Sequence, residues 1–311
     1  MTGGPLQHIP VLTSQLIGVL DSKPEEIGVD CTLGGGGHAL AILQACPLLQ
    51  RLIGIDADPA ALERASEKLK DHAAKVTLVR GRFGELPDIL DRSGVGPVSF
   101  IYADIGTSAF QLDRPERGFS FAQDGPLDMR MDPEQPTRAA DLVNGLKEQE
   151  LADLIYRYGE EGRSRKIAAM ICQARRNQRL DSTVQLAEIV CRALGLDPKG
   201  ISAGRIHPAT KTFQALRIAV NDELGQLEQL LSSAPDRLAA GGRFAVISFH
   251  SLEDSLVKEA FRQREQDGRY RVLTKKPLTA EPGEVLRNPR SRSAKLRAIE
   301  KVSSSEVRGS I

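Results

Sequence analysis

The chain has 311 residues, and its 42 Lys and Arg balance 41 Asp and Glu to a formal net charge of +1. A chain of this length forms one large domain or one domain that carries another. The balanced charge gives no overall sign of a polyanionic partner, so any such signal must be local.

The four cysteines form no C-x-x-C pair and the five histidines are scattered along the chain. This pattern argues against a metal site and a disulfide framework, and it indicates a reducing, cytoplasmic environment. No apolar stretch approaches the roughly 20 residues that span a bilayer. We therefore expect a cytoplasmic protein without a membrane anchor.

From residue 27 onwards, short apolar runs alternate with amphipathic stretches, as in a parallel sheet covered by helices. Helices are predicted over 38–46, over 58–70 with Asp58 as N-cap and Pro59 in the first turn, and over 212–231 as the crossover into the fifth strand. Strands are predicted over 27–33, 51–56, 76–81, 98–106, 239–249 and, at the edge of the sheet, 295–302.

The stretch between the fourth and fifth strands is far longer than one helix and two short loops. We therefore expect an α/β protein with a doubly wound, Rossmann-like sheet that an inserted, mostly helical domain interrupts. The sheet domain would comprise 1–111 and 209–311, and the inserted, substrate-recognition domain 112–208.

A glycine run follows the first strand in VDCTLGGGGH (29–38). Four glycines at the end of a strand expose backbone N–H groups with no side chain in the way, although they also suit a simple tight turn. Asp56 ends the second strand, where a carboxylate accepts hydrogen bonds from the two hydroxyls of a ribose. Together the two features predict a nucleoside-containing ligand.

The identity of that ligand is open at this point. The pattern Gly34-x-Gly36-x-x-Ala39 also satisfies the dinucleotide fingerprint, so a nicotinamide oxidoreductase is an alternative. Two features favour S-adenosylmethionine: Asp104, which ends the fourth strand where a transferred group would meet its acceptor, and LAAGG before the fifth strand. A role of Asp104 as the cap of the following turn is the alternative.

The segment DIGTSAFQLDRPERGFSFAQDGPLDMRMD (104–132) closely resembles the signature of the MraW/RsmH family. Members of this family methylate the N4 amine of a cytidine in small-subunit (16S) ribosomal RNA. Further family-like blocks lie at 8–12, 32–39, 207–224, 241–254 and 288–297. The resemblance implies a class I methyltransferase sheet and S-adenosylmethionine as cofactor, with ribosomal RNA in the small subunit as partner. The resemblance leaves open whether the protein forms a homodimer. The alternatives to this function are methylation of a DNA amine or a protein, and a role as an assembly factor without catalysis.

The resemblance also implies a set of cofactor contacts. Phe83 would lie against the adenine and His38 near the methionine carboxylate, and the full set is Gly36, Gly37, His38, Asp56, Phe83, Asp104 and Gln111. By analogy with amino-methyltransferases, Asp104 and the hydroxyl of Ser108 would act on the amine as catalytic groups. Many members read G-V-S-S-P-Q-L-D where this chain has GTSAFQLD (106–113), so one hydroxyl and one proline are missing from this loop.

A cytosine in folded RNA must be splayed out of its stack to reach the cofactor. Phe119, with Phe110 and Phe121 beside it, is a candidate to stack on the base, although aromatic residues also simply pack. His250 follows the fifth strand and would either line the substrate pocket or satisfy a buried hydrogen bond.

Two basic clusters are candidates to hold RNA. Between Gly162 and Leu180 there are six basic residues and no acidic one, and helical spacing places Arg165, Lys166 and Arg176 on one face. A solvated face is the alternative, but the missing acids favour a polyanion. The second cluster comprises Arg287, Arg290, Arg292, Lys295 and Arg297.

Overall fold

The computed structural model of the chain describes residues 10–22, 26–198 and 206–303; His8 and Ile9 of the family-like block 8–12 lie outside these ranges. The strands are β1 (Ile27–Asp30), β2 (Arg51–Asp56), β3 (Val76–Arg80), β4 (Val98–Asp104), β5 (Leu238–Ser248), β6 (Tyr270–Val272), β7 (Leu278–Thr279) and β8 (Lys295–Lys301). The helices are α1 (Thr13–Leu20), α2 (Gly37–Ala45), α3 (Pro59–Lys68), α4 (Leu86–Arg92), α5 (Ala109–Leu112), α6 (Ala139–Gly145), α7 (Glu148–Gly159), α8 (Ser164–Arg175), α9 (Thr183–Ala193), α10 (Thr210–Asn221), α11 (Glu223–Ser233), α12 (Ser251–Gln266) and α13 (Pro282–Arg287).

The strands form one sheet in the order β3-β2-β1-β4-β5-β8-β6. Strand β7 pairs with β8 outside this order. Strands β1 to β5 are parallel to one another, whereas β8 is antiparallel to β5, β6 and β7. The chain order reverses between β1 and β4, and in open α/β sheets ligands bind at the carboxyl ends of the strands beside such a point.

Alternate residues of the parallel strands face two separate cores, which makes the sheet doubly wound. Ile101 of β4 packs with α4, α11 and α12 on one face. Its neighbours Phe100 and Tyr102 pack with α1, α2 and α3 on the other face. This period of two with both faces buried explains why the strands read as nearly continuous apolar runs. The predicted fold class is therefore confirmed.

The start of α3 follows the prediction closely. The side chain of Asp58 accepts a hydrogen bond from the backbone N–H of Ala60, and Pro59 occupies the first helical position. The acidic cap satisfies a donor that the helix cannot satisfy itself, and proline loses nothing there because that position lacks an intrahelical partner.

Two predictions about the second half of the chain are wrong. The last strand is not at the edge, because β8 lies between β5 and β6. The single crossover helix over 212–231 is two helices, α10 and α11, because Asp222 adopts left-handed backbone angles (φ 50°, ψ 42°) and ends α10. The Asn221 side chain fixes this break by accepting from the Met131 N–H and donating to the Met129 carbonyl.

The contacts divide the chain into two compact units, one of residues 1–106 and 224–311 and one of residues 107–223. The expected insertion over 112–208 differs from this division at both ends, since the loop after β4 and helix α10 belong to the second unit. That unit has its own core, in which α7 packs against α8 and α10. Within the described ranges, no helix is long and apolar enough to cross a membrane.

Candidate active site

The glycine run forms the turn between β1 and α2. Gly34 and Gly36 have positive φ angles of 53° and 74°, which favour glycine because a Cβ would be strained there. A Cβ built on Gly34 or Gly35 would meet no atom closer than 4.0 Å. The turn therefore leaves an open cradle of backbone into which a ligand can approach.

Asp56 holds this turn in place. Its Oδ2 accepts a hydrogen bond from the Gly34 N–H at 2.7 Å, and its Oδ1 accepts one from the Asp58 N–H at 2.9 Å. Burial raises the pKa of Asp56 from 3.8 to about 6. A carboxylate offers about four lone-pair sites, so both oxygens retain capacity to accept the hydroxyls of a ribose.

Asp104 stands at the end of β4 with an unsatisfied oxygen. Its backbone N–H donates to the Thr32 hydroxyl at 2.6 Å, which ties the ends of β4 and β1 together. Its side chain is 24% exposed, and its Oδ1 is buried without a hydrogen-bond partner. Burial, followed by the charge of Glu253, raises the pKa of Asp104 to about 7. An orphaned buried acceptor beside the open glycine turn is what a site for a polar ligand requires.

A buried pair of polar groups lies behind Asp104. The Tyr102 hydroxyl donates to Oδ2 of Asp30, and the Thr32 N–H donates to Oδ1 of Asp30 at 3.0 Å. Burial raises the pKa of Asp30 to about 7 and that of Tyr102 well above its usual value. Neither residue is among those predicted from the sequence, although the D-x-T pattern in VDCT is a signal for this arrangement.

The side chain of His38 makes its contacts with protein groups. It is 7% exposed, its Nε2 lies 2.7 Å from the Val11 carbonyl oxygen, and its Nδ1 lies 3.6 Å from Oδ2 of Asp104. Burial lowers its pKa to about 4. A neutral imidazole supplies no positive charge for a methionine carboxylate, and the role of His38 in cofactor binding stays a prediction.

Phe83 begins a short 3₁₀ turn, Phe83–Glu85, directly after β3. Its ring is half-buried against the core of the first unit, and the next residue, Gly84, donates its N–H to Gln226 at 3.1 Å. Phe83 thus follows the carboxyl end of β3, and its contact with adenine stays a prediction.

Ser108 and Gln111 belong to the second unit and bind each other around the short helix α5. The Ser108 N–H donates to the Gln111 side-chain carbonyl at 3.1 Å, and the Gln111 N–H lies 3.3 Å from the Ser108 hydroxyl. This reciprocal pair stiffens the loop that carries Ser108. Their predicted roles in catalysis and cofactor binding stay predictions.

Phe119 is 7% exposed and lies in the core of the second unit. Phe121 packs against His207 and Phe213, with ring centroids 4.5 and 4.7 Å apart. Arg114 covers the ring of Phe110 at 3.9 Å. A base that stacked on Phe119 would have to displace packing contacts.

His250 is the N-cap of α12 and forms a capping box with Glu253. Its Nδ1 accepts from the Glu253 N–H at 3.4 Å, and Oε2 of Glu253 accepts from the His250 N–H at 3.3 Å and from the Phe249 N–H at 2.7 Å. Nε2 of His250 lies 2.9 Å from Oε1 of Glu253, but the direction of approach is wrong for a hydrogen bond. The buried hydrogen bond that the sequence left open is thus present, and the role of His250 in a substrate pocket stays a prediction.

The basic face of α8 is only partly available to a ligand. Arg165 is paired with Asp153 at 2.8 Å, whereas the exposed Lys166 and Arg176 form no ion pair among the described residues. Arg175, in the same run, donates to the carbonyl groups that end α6. In the second basic cluster, Lys295 and Arg297 are both paired with Asp254.

The fold and this site define a class. A doubly wound sheet with an open glycine turn after β1, an acid at the end of β2 and an acid at the end of β4 is typical of class I methyltransferases. Residues 5–302 match the MraW methylase family, and the chain belongs to that family.

Relatives across nearly the whole chain agree with this assignment. The chain is 47% identical to "Ribosomal RNA small subunit methyltransferase H" of Syntrophobacter fumaroxidans, over 97% of this chain and 98% of the relative. It is 50% identical to a protein of the same name from Sorangium cellulosum, over 97% and 93%. The chain is therefore an S-adenosylmethionine-dependent methyltransferase, which decides between the two cofactors that the glycine pattern allowed.

Proposed function

We propose that this methyltransferase transfers a methyl group from S-adenosylmethionine to the exocyclic N4 amine of a cytidine in small-subunit ribosomal RNA. The relatives are named for small-subunit ribosomal RNA, and the chain matches them over nearly their whole length. The observation that carries the chemistry is the orphaned, buried Oδ1 of Asp104 at the end of β4.

The residues around the glycine turn fit the cofactor. The open cradle at Gly34 and Gly35 admits a close ligand, and Asp56 retains acceptor capacity for ribose hydroxyls. The groups that would hold it are the backbone of Gly36 and Gly37, the carboxylate of Asp56, the ring of Phe83 and the side chains of Asp104 and Gln111. When bound, S-adenosylmethionine supplies an electrophilic methyl group on a sulfonium.

Asp104 would act on the amine. The N4 lone pair of cytosine is delocalised into the ring, so an acceptor that holds an N4 hydrogen favours the pyramidal geometry that attack requires. As the bond from N4 to the methyl carbon forms, N4 must lose a proton. A carboxylate whose pKa is about 7 is matched to receiving that proton near neutral pH. The hydroxyl of Ser108 would orient the amine from the following loop.

The test separates the acceptors. Purified protein with labelled cofactor is incubated with small-subunit RNA, assembled small subunits, DNA and a protein extract. We expect label only in the RNA or in the subunit. A nucleoside digest of small-subunit RNA from cells should contain N4-methylcytidine, and this nucleoside should be missing when the cells lack this protein. Label in DNA or protein, or an unchanged digest, would overturn the proposal.

The exposed basic residues on α8 and directly after it are the part of the second unit that we propose for RNA binding. Lys166 and Arg176 are the members of the predicted set that form no ion pair with the acidic side chains that the structure describes. The double variant Lys166→Glu/Arg176→Glu should lose about tenfold or more in RNA affinity at fixed salt and keep its affinity for S-adenosylhomocysteine. Lys68→Glu/Lys258→Glu, on α3 and α12, makes the same change of total charge and serves as the control.

We further propose that the substrate is the assembled small subunit and that the protein acts in the cytoplasm, where ribosomes are assembled. The charge balance of the chain supports local recognition of a shaped surface over general attraction to free RNA. The labelling test distinguishes the two substrates, and sedimentation of the purified protein distinguishes a monomer from a homodimer.

A further inference from the structure

The N-terminal segment Pro10–Leu12 packs against the start of α2. Leu12 is fully buried in left-handed backbone geometry (φ 51°), and its N–H donates to Oε1 of Glu284 at 2.7 Å. A Cβ on Gly37 would meet the Pro10 ring at 3.4 Å, which is ordinary van der Waals contact. The segment is thus held on both sides and presents the Val11 carbonyl at a fixed place.

That carbonyl determines which nitrogen of His38 carries the proton. A carbonyl oxygen only accepts hydrogen bonds, so the Nε2 atom 2.7 Å from it must be the N–H group. The ring is neutral because burial lowers its pKa to about 4. Nδ1 is therefore an unprotonated acceptor with its lone pair in the ring plane.

The Nδ1 atom faces Oδ2 of Asp104 at 3.6 Å, which is beyond a hydrogen bond but within reach of a small side-chain rotation. Two acceptors repel each other, so only a protonated Asp104 can form this bond. The titratable groups that face His38 or Asp104 from the surrounding elements are Asp30, Tyr102, Glu253 and Glu284.

We propose that Pro10–Leu12 fixes the tautomer of His38 so that its Nδ1 accepts a hydrogen bond from Asp104 once that carboxyl is protonated, which makes His38 a positioning residue for methyl transfer. This inference rests on the proposed function. When N4 bonds to the methyl carbon, the electron pair of the breaking S–C bond stays with sulfur and the N4 proton passes to the Asp104 carboxylate. His38 then stabilises the protonated carboxyl without taking the proton.

Two variants separate the two nitrogens of His38. In His38→Gln, the side-chain amide can still donate to the Val11 carbonyl, but no acceptor replaces Nδ1. In His38→Asn, the shorter side chain places its carbonyl oxygen near the position of Nδ1 and loses the bond to Val11. We expect the titration midpoint of Asp104, followed by carboxyl ¹³C NMR, to fall by about one pH unit in His38→Gln and to stay near the wild-type value in His38→Asn.

The protonation state of His38 can also be measured on the unaltered protein, which does not depend on whether the variants fold. The ¹⁵N NMR spectrum of His38 should show a neutral ring protonated at Nε2 at neutral pH. A ring protonated at Nδ1, or equal Asp104 midpoints in both variants and the wild type, would overturn the proposal. The acid limb of the pH profile of kcat should move with the Asp104 midpoint.

The NMR experiments need neither RNA nor cofactor, so their failure is distinguishable from failure of the proposed function. Calorimetry with S-adenosylhomocysteine supplies the remaining comparison. We expect both variants to bind it within about twofold of the wild type. A loss of affinity of about tenfold or more in both would assign His38 to the cofactor instead and overturn the positioning role.

Discussion

The buried carboxyl of Asp30 should make the stability of the protein depend on pH. Asp30 is 1% exposed, and burial raises its pKa from 3.8 to about 7. Because the folded pKa lies above the unfolded one, Asp30 contributes stability that is fully present below about pH 4 and is lost as the pH rises through about 7. A difference of about three pKa units corresponds to about 4 kcal/mol.

The variant Asp30→Asn removes this dependence. An amide stays neutral at every pH, and its carbonyl oxygen and NH₂ group can serve the Thr32 N–H and the Tyr102 hydroxyl as a protonated carboxyl does. We therefore expect the free energy of unfolding of Asp30→Asn, minus that of the wild type, to rise by about 4 kcal/mol between about pH 4 and pH 8. The slope should reach at most about 1.4 kcal/mol per pH unit.

Urea unfolding followed by circular dichroism at several pH values measures this difference, since the chain contains no tryptophan for fluorescence. Asp71→Asn is the matched control, because the Asp71 side chain is exposed and its carboxylate stays in water. A difference between Asp30→Asn and the wild type that stays constant with pH, or that falls as the pH rises, would refute the reasoning.

Three further predictions concern single sites. Gly125→Ala should cost more than about 3 kcal/mol of stability in chemical unfolding, because its Cβ would lie 1.9 Å from the Pro115 carbonyl oxygen. The control Gly145→Ala should cost nothing, because its Cβ would have no atom within 4 Å. Arg217→Met should cost about 3 kcal/mol by removing the two hydrogen bonds that Arg217 donates to the buried carboxylate of Glu223. Adding Glu223→Gln, which removes the buried charge, should restore part of the loss; equal stability of the single and double variants would contradict this. Asp56→Asn should weaken S-adenosylhomocysteine about tenfold in calorimetry; unchanged affinity would remove Asp56 from the cofactor site.

The elements that the sequence predicts well are those that local chemistry determines. The apolar runs of the parallel strands and the Asp58-Pro59 start of α3 are examples, since each signal lies within one element. The break between α10 and α11 has no such signal, because neither Gly nor Pro stands at Asp222. It depends on Asn221 binding the segment around Met129, about ninety residues earlier in the chain.

The candidate site shows the same division. The sequence predicts the glycine run and Asp56 as a binding site, because their spacing along the chain reflects the turn that they build. The surroundings of Asp104 are not predictable in this way, because burial and then the charge of Glu253 on α12 raise its pKa, and His38 faces it from the start of α2. Burial and charge of this kind arise only when the strand ends meet, so no local pattern predicts them.

The position of β8 affects how the sheet forms during translation. Strands β6 and β7 both pair with β8, which is the last strand along the described chain and fills the place next to β5. During translation, the backbone edge of β5 that pairs with β8 therefore has no partner strand until residues 295–301 have left the ribosome. An open apolar edge pairs readily with other chains, so a stalled or shortened product that ends before Lys295 should aggregate instead of accumulating as a folded fragment.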